Sequence, residues 1–269
     1  MAAAPHIVWM IMFIVAPMIF VLYFAFTDGN GNFTFDNVLS LSRYSNVFVL
    51  SIAFALIATV VCLLIGYPLA YFMSRQSERA QKILMVLVML PMWCNLLIRT
   101  YALMALLDNG GLLNSLLVKL GLDKVSIVGT NFGVILGMVY DFLPYMVLPI
   151  FTSMTKLDKR YIEASHDLGC NNWQTMTKVI MPLTVSGVIS GITMVFVPSI
   201  STFYISQKLG AGKIDLVGDT IERLFQNTST YGVGAAMSLI MMILILISVG
   251  IMNRFSDDED KTVKRGGIR

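Results

Sequence analysis

The side chains that could perform chemistry in this sequence are scattered and lack the spacing of a catalytic centre. Its two histidines, His6 and His166, stand alone. The segment Gly210-Ala211-Gly212-Lys213 has glycines and a lysine, but a phosphate loop would need glycine at position 207 and serine or threonine at position 214. Those positions hold Gln207 and Ile214. The segment therefore predicts a flexible turn, and we expect no bound metal or cofactor.

Two charged residues, Arg99 and Asp141, lie within long apolar stretches. Charges at membrane depth are rare, and they usually face a bundle interior or a water-filled cavity. Two interpretations stay open. Arg99 and Asp141 form a structural ion pair, or Asp141 lies on the path of a transported cation and compensates an ammonium group.

Four aromatic residues are further candidates for contact with a cation. Trp93, Tyr101, Phe203 and Tyr204 could hold an ammonium group against a ring face, an attraction of about 0.5–2 kcal/mol. The alternative for Trp93 and Tyr101 is anchoring at the membrane interface. The candidate substrate pathway consists of Asp141, Phe203, Tyr204, Trp93 and Arg99.

The composition is that of a membrane protein. Of the 269 residues, 57% are hydrophobic and 13% are charged, and the mean hydropathy is +0.76. A soluble domain usually carries about 25% charged residues, and a disordered chain has low hydrophobicity. The composition therefore excludes an ordinary soluble enzyme and a disordered chain.

Six apolar stretches are each long enough for a membrane-spanning helix, which needs about 20 apolar residues. We predict spans at 7–26, 48–73, 83–107, 132–151, 186–206 and 233–252. The first is too long for the apolar part of a signal peptide, so we expect it to be retained. The predicted fold class is an all-α integral membrane protein with six transmembrane helices, in a single domain over residues 1–269.

Lysine and arginine are unevenly distributed among the predicted loops. Twelve lie in loops 74–82 and 152–185 and in the tail 253–269, whereas six lie on the other side. Loops rich in these residues stay in the cytoplasm. We therefore predict a multi-pass protein of a bacterial cell membrane with both termini cytoplasmic. Three acidic residues of the predicted outer loop attract cations, contact a binding protein or are simply solvated. They are Asp215, Asp219 and Glu222.

The predicted cytoplasmic loop 152–185 has the sequence of a helix–turn–helix. Residues 157–168 are predicted to form a helix with Asp158 as its N-cap. Gly169 stands where the end of a helix requires a residue that adopts positive φ. Asn171 is predicted to cap a second helix, with Gln174 as its capping-box partner.

This loop resembles the EAA loop of ABC-importer permeases. The family pattern is Glu-Ala-Ala, three residues, Gly, nine residues and then Ile-x-Leu-Pro. The segment 163–169 is EASHDLG, and 179–182 is VIMP. The matching positions are Glu163, Ala164, Gly169 and Pro182, and the small or apolar replacements are Ser165, Val179 and Met181.

The resemblance implies that the loop docks in a groove on a separate ATPase subunit. The coupling residues are then Glu163, Ala164, Ser165, Gly169 and Pro182. Ala164 and Ser165 would permit close approach to the partner, and Glu163 with Lys159 and Arg160 would fix the register by charge. ATP and Mg²⁺ would be used by the partner chain, so this chain would catalyse no covalent step.

Further stretches resemble the spermidine/putrescine permease family. Residues 91–101 (PMWCNLLIRTY) are similar to its third span, 198–206 (PSISTFYIS) to its fifth and 66–71 (GYPLAY) to its second. The similarity extends from about residue 47 to the end of the sixth predicted span. Because the fifth span lines the pathway in this family, Phe203 and Tyr204 are stronger candidates than Trp93 and Tyr101.

The resemblance implies a permease subunit of a binding-protein-dependent ABC importer for polyamines. The chain is more similar to the B-type than to the C-type subunit. The expected partners are an ABC ATPase dimer, a C-type permease in a heterodimer and an extracytoplasmic substrate-binding protein, with no nucleic acid. One alternative is an ABC permease for an amino acid, a sulfate-like anion or iron. Another is a secondary transporter or membrane enzyme, although the first needs no docking loop and the second needs clustered catalytic groups.

Overall fold

A computed structural model of the chain describes the backbone of residues 4–28 and 31–266, and the side chains of this part except at positions 4, 5, 159, 253 and 255–266. Within these residues, the regular structure is helical, apart from one isolated β-bridge between Thr27 and Phe33. The predicted all-α fold is therefore confirmed.

The first half of the chain contains seven described α-helices, with a π-helical turn at Ile11–Val15 and a 3-10 turn at Ser40–Tyr44. The helices are α1 (Ala4–Met10), α2 (Ala16–Ala25), α3 (Asp36–Leu39), α4 (Ser45–Ser74), α5 (Glu78–Trp93), α6 (Leu96–Leu107) and α7 (Leu112–Lys119).

The second half contains eight described α-helices, with a π-helical turn at Met176–Ile180 and a 3-10 turn at Thr228–Thr230. The helices are α8 (Asn131–Thr155), α9 (Lys159–Asp167), α10 (Asn172–Thr175), α11 (Met181–Leu183), α12 (Val185–Ser201), α13 (Tyr204–Leu209), α14 (Val217–Phe225) and α15 (Tyr231–Gly266). The predicted tail 253–269 continues α15 as far as Gly266, and its last three residues lie outside the described part.

Among the described residues, five helical segments are long and apolar enough to cross a membrane, and a bent pair provides a sixth. The five are His6–Ala25, Asp36–Ser74, Leu96–Lys119, Asn131–Thr155 and Thr228–Met252. The bent pair joins Asn172–Leu183 to Val185–Ser201 at an angle of 67°. The number agrees with the six predicted spans, but two of the predicted helices have the wrong bounds.

The third predicted span, 83–107, is not one continuous helix. α5 ends at Trp93, and non-helical Cys94 and Asn95 precede α6. The side-chain oxygen of Asn95 accepts a hydrogen bond from the backbone N–H of Leu97 at 2.8 Å. Because this bond satisfies an amide group that the start of a helix leaves free, a new helix begins here. Apolar length alone gave the wrong prediction.

The fifth predicted span, 186–206, ends early. α12 stops at Ser201, Thr202 has an extended backbone and α13 begins at Tyr204. The start of α14 packs closely against this break, since a Cβ built on Gly218 would lie 2.6 Å from the carbonyl oxygen of Thr202. The approach of α14 to the end of α12 therefore requires glycine at position 218.

The centre of the bundle is formed by α4, α8 and α12, which make the most extensive contacts with one another. A Cβ built on Gly187 of α12 would lie 2.6 Å from Ser153 Cβ of α8, and one on Gly191 would lie 2.8 Å from Met146 Sδ. Small residues at such an interface let two backbones approach closely. The surrounding side chains include the fully buried Met138, Ile150 and Val195.

The first span lies at the edge of this bundle. α2 packs against α15, but the described apolar side chains of the span, such as Trp9, Phe13 and Phe20, are more than half exposed in the isolated chain. Such a surface requires lipid or the helices of another subunit around it.

Candidate coupling loop and membrane site

The first helix of the 152–185 loop begins where the sequence predicts. Asp158 Oδ1 accepts a hydrogen bond from the backbone N–H of Arg160 at 3.0 Å, so Asp158 is the N-cap of α9. Glu163 and Ala164 lie on this helix with exposed side chains. The side chain of Lys159, which was expected to act with Glu163, lies outside the described part.

The turn between the two loop helices also follows the prediction. Gly169 has φ +82°, and the N–H of the next residue, Cys170, donates to Ser165 O at 3.0 Å. Asn171 and Gln174 form a reciprocal capping box, with bonds of 2.8 and 3.0 Å between each side chain and the backbone of the other residue. The helix–turn–helix of the loop is therefore present.

Ser165 does not lie on the exposed face where close approach to a partner was expected. Its side chain is buried, and its hydroxyl lies 2.9 Å from the Thr175 hydroxyl and donates to Ile162 O at 2.7 Å. The small size of Ser165 instead lets α9 and α10 pack together. The reason could not be seen in the sequence, because it depends on the position of Thr175 in space.

The structure adds two exposed apolar residues to the loop that sequence reasoning missed. The Leu168 side chain is 85% exposed and that of Trp173 is 74% exposed. They flank the Gly169 turn, beyond the predicted spans. Exposed apolar side chains in a loop between membrane spans are typical of a surface that contacts another protein. The sequence did contain a signal for this surface, because Leu168 and Trp173 are large apolar residues close to Gly169, the glycine that ends α9.

The loop joins the membrane helices through a bend at Thr184. The second arm passes through Pro182 in α11, and α12 leaves Thr184 at 67°. The Thr184 hydroxyl donates to Ile180 O at 2.8 Å and also lies 3.1 Å from the Tyr67 hydroxyl of α4. The bend is therefore fixed both to its own helix and to the second span.

Arg99 and Asp141 are close together in the interior of the bundle. Arg99 Nη1 lies 3.4 Å from Asp141 Oδ1, and the Thr100 hydroxyl lies 3.2 Å from Asp141 Oδ2. Arg99 is 7% exposed and Asp141 is fully buried. Because the carboxylate has no contact with open space, this geometry favours the structural ion pair over a pathway site.

The ion pair is central in depth and incompletely hydrogen-bonded. Asp141 stands about 15 Å along α8 from Asn131, at 1.5 Å per residue, which is slightly closer to that end than to Thr155. It does not lie towards the end of α8 that leads into the 152–185 loop. Among the described atoms, Arg99 Nε and Nη1 and Asp141 Oδ1 have no hydrogen-bond partner. The pair thus compensates charge without the paired hydrogen bonds of an ideal arginine–carboxylate contact.

The aromatic candidates do not form one cluster. Tyr101 and Tyr204 meet edge to face with ring centroids 5.9 Å apart. Phe203 lines a separate, mainly apolar cavity of about 450 Å³ between α12, α14 and α15. Trp93 is 74% exposed at the end of α5. Of the predicted pathway residues, the structure therefore joins Arg99 to Asp141 and Tyr204 to Tyr101, and separates the others.

The acidic residues of the outer loop are not simply solvated. Asp215 forms a 2.8 Å ion pair with Arg223, and Glu222 accepts a hydrogen bond from Gln207. Asp219 is 6% exposed, and its Oδ2 accepts from the backbone N–H of Leu216 at 2.9 Å. Burial raises the pKa of Asp219 to about 6, and the charges of Asp215 and Glu222 act in the same direction. Asp219 therefore has a structural role at the start of α14.

Comparison with known proteins assigns the family. Residues 63–259 match the family model of the binding-protein-dependent transport system inner membrane component. The chain is 36% identical over 256 residues to the spermidine/putrescine transport system permease protein PotB of Haemophilus influenzae, which covers 91% of this chain and 90% of the relative. It is 36% identical over 247 residues to PotB of Escherichia coli K12, covering 88% and 90%.

Solved structures of ABC transporters share the fold. A chain of the bacterial alginate ABC transporter, in complex with an alginate pentasaccharide-bound periplasmic protein, matches with a TM-score of 0.76 and 20% identity, covering 95% of this chain and 92% of the other. A chain of the MetNI methionine ABC transporter matches with a TM-score of 0.57 and 15% identity, covering 80% and 94%. At these identities the likeness concerns the fold alone. With the match over residues 63–259 and the relatives at 36% identity, the chain belongs to the binding-protein-dependent transport system inner membrane components and is a permease subunit of an ABC importer.

Proposed function

We propose that this permease subunit imports polyamines, with spermidine and putrescine as its substrates. The observation that carries the proposal is the 36% identity to the PotB permeases of Haemophilus influenzae and Escherichia coli over about nine-tenths of the chain. The contact between Tyr101 and Tyr204 adds a chemical argument, because ring faces attract alkylammonium groups.

The 152–185 loop is the proposed contact with an ABC ATPase dimer, which binds ATP and Mg²⁺ in place of this chain. The loop has an exposed surface of one charged and three apolar side chains, which are Glu163, Ala164, Leu168 and Trp173. The Ser165–Thr175 hydrogen bond holds the two loop helices together. The loop therefore moves as one rigid unit, and a displacement by the ATPase reaches α12. Gly169 and Pro182 shape the loop between the docking surface and α12.

The remaining partners follow from the same proposal. A C-type permease forms a heterodimer with this chain, and an extracytoplasmic binding protein delivers the polyamine. The exposed apolar side chains of the first span provide a surface for such a second permease. Both termini and the 152–185 loop lie in the cytoplasm, in agreement with the excess of lysine and arginine on that side.

The proposal is tested by ATP-dependent uptake of labelled spermidine into proteoliposomes. These contain the chain with its ATPase, second permease and binding protein. The coupling variant is Glu163→Arg, which reverses an exposed charge of α9. Its matched control is Arg79→Glu, which reverses an exposed charge on α5. We expect uptake by the unaltered complex and by Arg79→Glu, and loss of uptake with Glu163→Arg.

Two results would contradict parts of the proposal. Uptake that survives Glu163→Arg removes the docking role of that residue. An assembled, ATP-hydrolysing complex that takes up no spermidine or putrescine excludes the polyamine substrate while the importer class stands.

A further inference from the structure

The two tyrosines that meet near the break in the fifth span already hold a cation. Lys208 Nζ lies 5.0 Å from the ring centroid of Tyr101 and 5.5 Å from that of Tyr204. Both distances are within the roughly 6 Å at which a cation–π attraction is significant. The rings stand at 71° to each other, so that the ammonium group is held between a face from α6 and a face from α13.

Neighbouring carboxylates do not account for the position of the Lys208 ammonium group. Among the described residues, the ion pairs within 4.0 Å are those of Arg99, Arg160 and Arg223, and none includes Lys208. The nearby acidic side chains of α14 and its preceding loop are engaged elsewhere, Asp215 with Arg223 and Glu222 with Gln207. Lys208 also interacts with the Tyr101 side chain as a hydrogen-bond donor. Tyr101 and Tyr204 are therefore the contacts that the structure provides for this charge.

The group that occupies the ring pair has the chemistry of the proposed substrate. A lysine side chain is an ammonium group at the end of four methylene groups, and putrescine is the same unit with a second ammonium group at the other end. Lys208 thus presents to Tyr101 and Tyr204 one half of a polyamine. The helix α13 lies towards the end of the bundle away from the 152–185 loop, because the N–H of Gly129, which precedes the far end of α8, donates to Leu209 O of α13 at 2.7 Å.

We propose that Tyr101 and Tyr204 form a binding site for one ammonium group of the transported polyamine, and that Lys208 occupies this site until the substrate displaces it. The inference rests on the proposed function. It assigns Lys208 the role of an internal competitor, which fills the ring pair when substrate is absent and weakens binding when substrate arrives.

The first test measures ATP-dependent uptake by the complete reconstituted importer and determines the spermidine concentration at which uptake is half-maximal. Lys208→Met keeps the length of the side chain and removes its charge. We expect the half-saturating concentration to fall about two- to fivefold, the change that an exposed cation–π contact of about 0.5–1 kcal/mol supports. Lys213→Met is the matched control, because Lys213 is an exposed lysine five residues further along that contacts neither ring.

The decisive comparison repeats Lys208→Met in a chain that carries Tyr101→Leu and Tyr204→Leu. With both rings removed, the half-saturating concentration rises, and we expect Lys208→Met to have no further effect. If Lys208→Met lowers the half-saturating concentration equally with and without the two rings, Lys208 only repels cations at a distance. That result overturns the proposal. An unchanged or higher concentration for Lys208→Met alone also overturns it.

A second measurement does not depend on transport and separates this inference from the proposed function. Reductive ¹³C-dimethylation of the complex keeps the lysine charge, and the methyl signal of Lys208 is assigned by its loss in Lys208→Met. We expect this signal to be shifted upfield by the two rings and to move downfield when spermidine-loaded binding protein is added. A signal without the upfield shift, or one that spermidine does not move in a complex that transports it, overturns the inference. Absence of transport by the unaltered complex would instead contradict the proposed function.

Discussion

The Tyr67 hydroxyl of α4 lies 3.1 Å from the Thr184 hydroxyl, at the point where the chain turns by 67° from the coupling loop into α12. Both residues are buried, and Thr184 also donates to Ile180 O. One interhelical hydrogen bond thus connects the second span to the bend that joins the loop to the fifth span.

Removing this bond should loosen the bend without unfolding the chain. We expect Tyr67→Phe to lower the free energy of unfolding by about 0.6 kcal/mol, the average for hydrogen bonds between membrane helices. Thr184→Val removes the other partner at nearly constant volume. In a double-mutant cycle in nanodiscs, the two changes should be less than additive by a similar amount. Strict additivity would show that the two hydroxyls do not stabilise each other.

The exposed apolar residues of the loop should matter for assembly and not for folding. We expect Leu168→Ser and Trp173→Ser to weaken binding of the ATPase by about fivefold or more each, since loss of an apolar anchor at the centre of an interface costs about 1 kcal/mol or more. Leu120→Ser is the control, because Leu120 is 75% exposed but follows α7, far from the loop. Titration of detergent-solubilised permease with ATPase measures the affinity. Equal binding by all three variants would exclude this surface from the interface.

The turn after α9 should depend on glycine through its backbone alone. Gly169 has φ +82°, and a Cβ added there would meet no atom within 4 Å. We expect Gly169→Ala to destabilise the loop by about 1–2 kcal/mol, the strain of a left-handed conformation in a residue with a Cβ. Gly110→Ala is the matched control, because its Cβ would also be free but its φ is not positive. Hydrogen exchange of α9 and α10 compares the two, and equal protection would contradict the expectation.

The buried ion pair should be more sensitive to loss of one partner than to loss of both. Arg99→Leu leaves the Asp141 carboxylate buried without its counter-charge, and we expect a loss of about 3–5 kcal/mol. Asp141→Leu likewise leaves the Arg99 guanidinium buried without its counter-charge, and we expect a similar loss. The double variant should recover most of the stability, which thermal unfolding in nanodiscs measures. A double variant less stable than either single one would show that the pair contributes more than charge compensation.

Asp219 should make the stability of the outer helix depend on pH. Its pKa in the folded chain, about 6, exceeds the ordinary value of 3.8 because the carboxyl is buried. The folded state therefore binds more protons than the unfolded state between these values, and stability falls as the pH rises from about 4 to about 6.

Asp219→Asn removes this dependence and keeps an oxygen for the N–H of Leu216. We expect the variant to gain up to about 3 kcal/mol over the unaltered chain at pH 8, and nothing at pH 4. Thermal unfolding at both pH values, with the partly exposed Asp215→Asn as control, measures the difference. A gain that is independent of pH would exclude titration of Asp219 as its cause.

The sequence predicted best those features that depend on residues a few positions apart in the chain. The caps of Asp158 and Asn171 and the turn at Gly169 are set within a few positions, and all three are found as predicted. Apolar length predicted the number of spans but not the break at Asn95, because a single capping side chain ends a helix that hydropathy would continue. The break at Thr202 depends on the approach of α14, which no local pattern records.

The membrane site was harder to predict because its contacts join distant parts of the chain. Pairing of Arg99 with Asp141 was one of two open interpretations, and the 3.4 Å contact and the burial of Asp141 favour it. The Lys208 contact with Tyr101 and the Tyr67 contact with Thr184 link residues more than a hundred positions apart. At such separations in the chain, no helical or strand periodicity predicts that the two residues of a pair are in contact.

The bend at Thr184 makes the coupling loop and α12 the two unequal arms of a lever. The arm Asn172–Leu183 is about 18 Å long and α12 is about 25 Å long, at 1.5 Å per residue. With Tyr67 and Thr184 as the fulcrum, a displacement of the loop is enlarged about 1.4-fold at Ser201. The far end of the long arm adjoins the break that precedes Tyr204. If the loop is the proposed contact with the ATPase, a movement of about 3 Å at its surface would shift the start of α13 by about 4 Å. This shift would separate Tyr204 from Tyr101 and release the ammonium group between them.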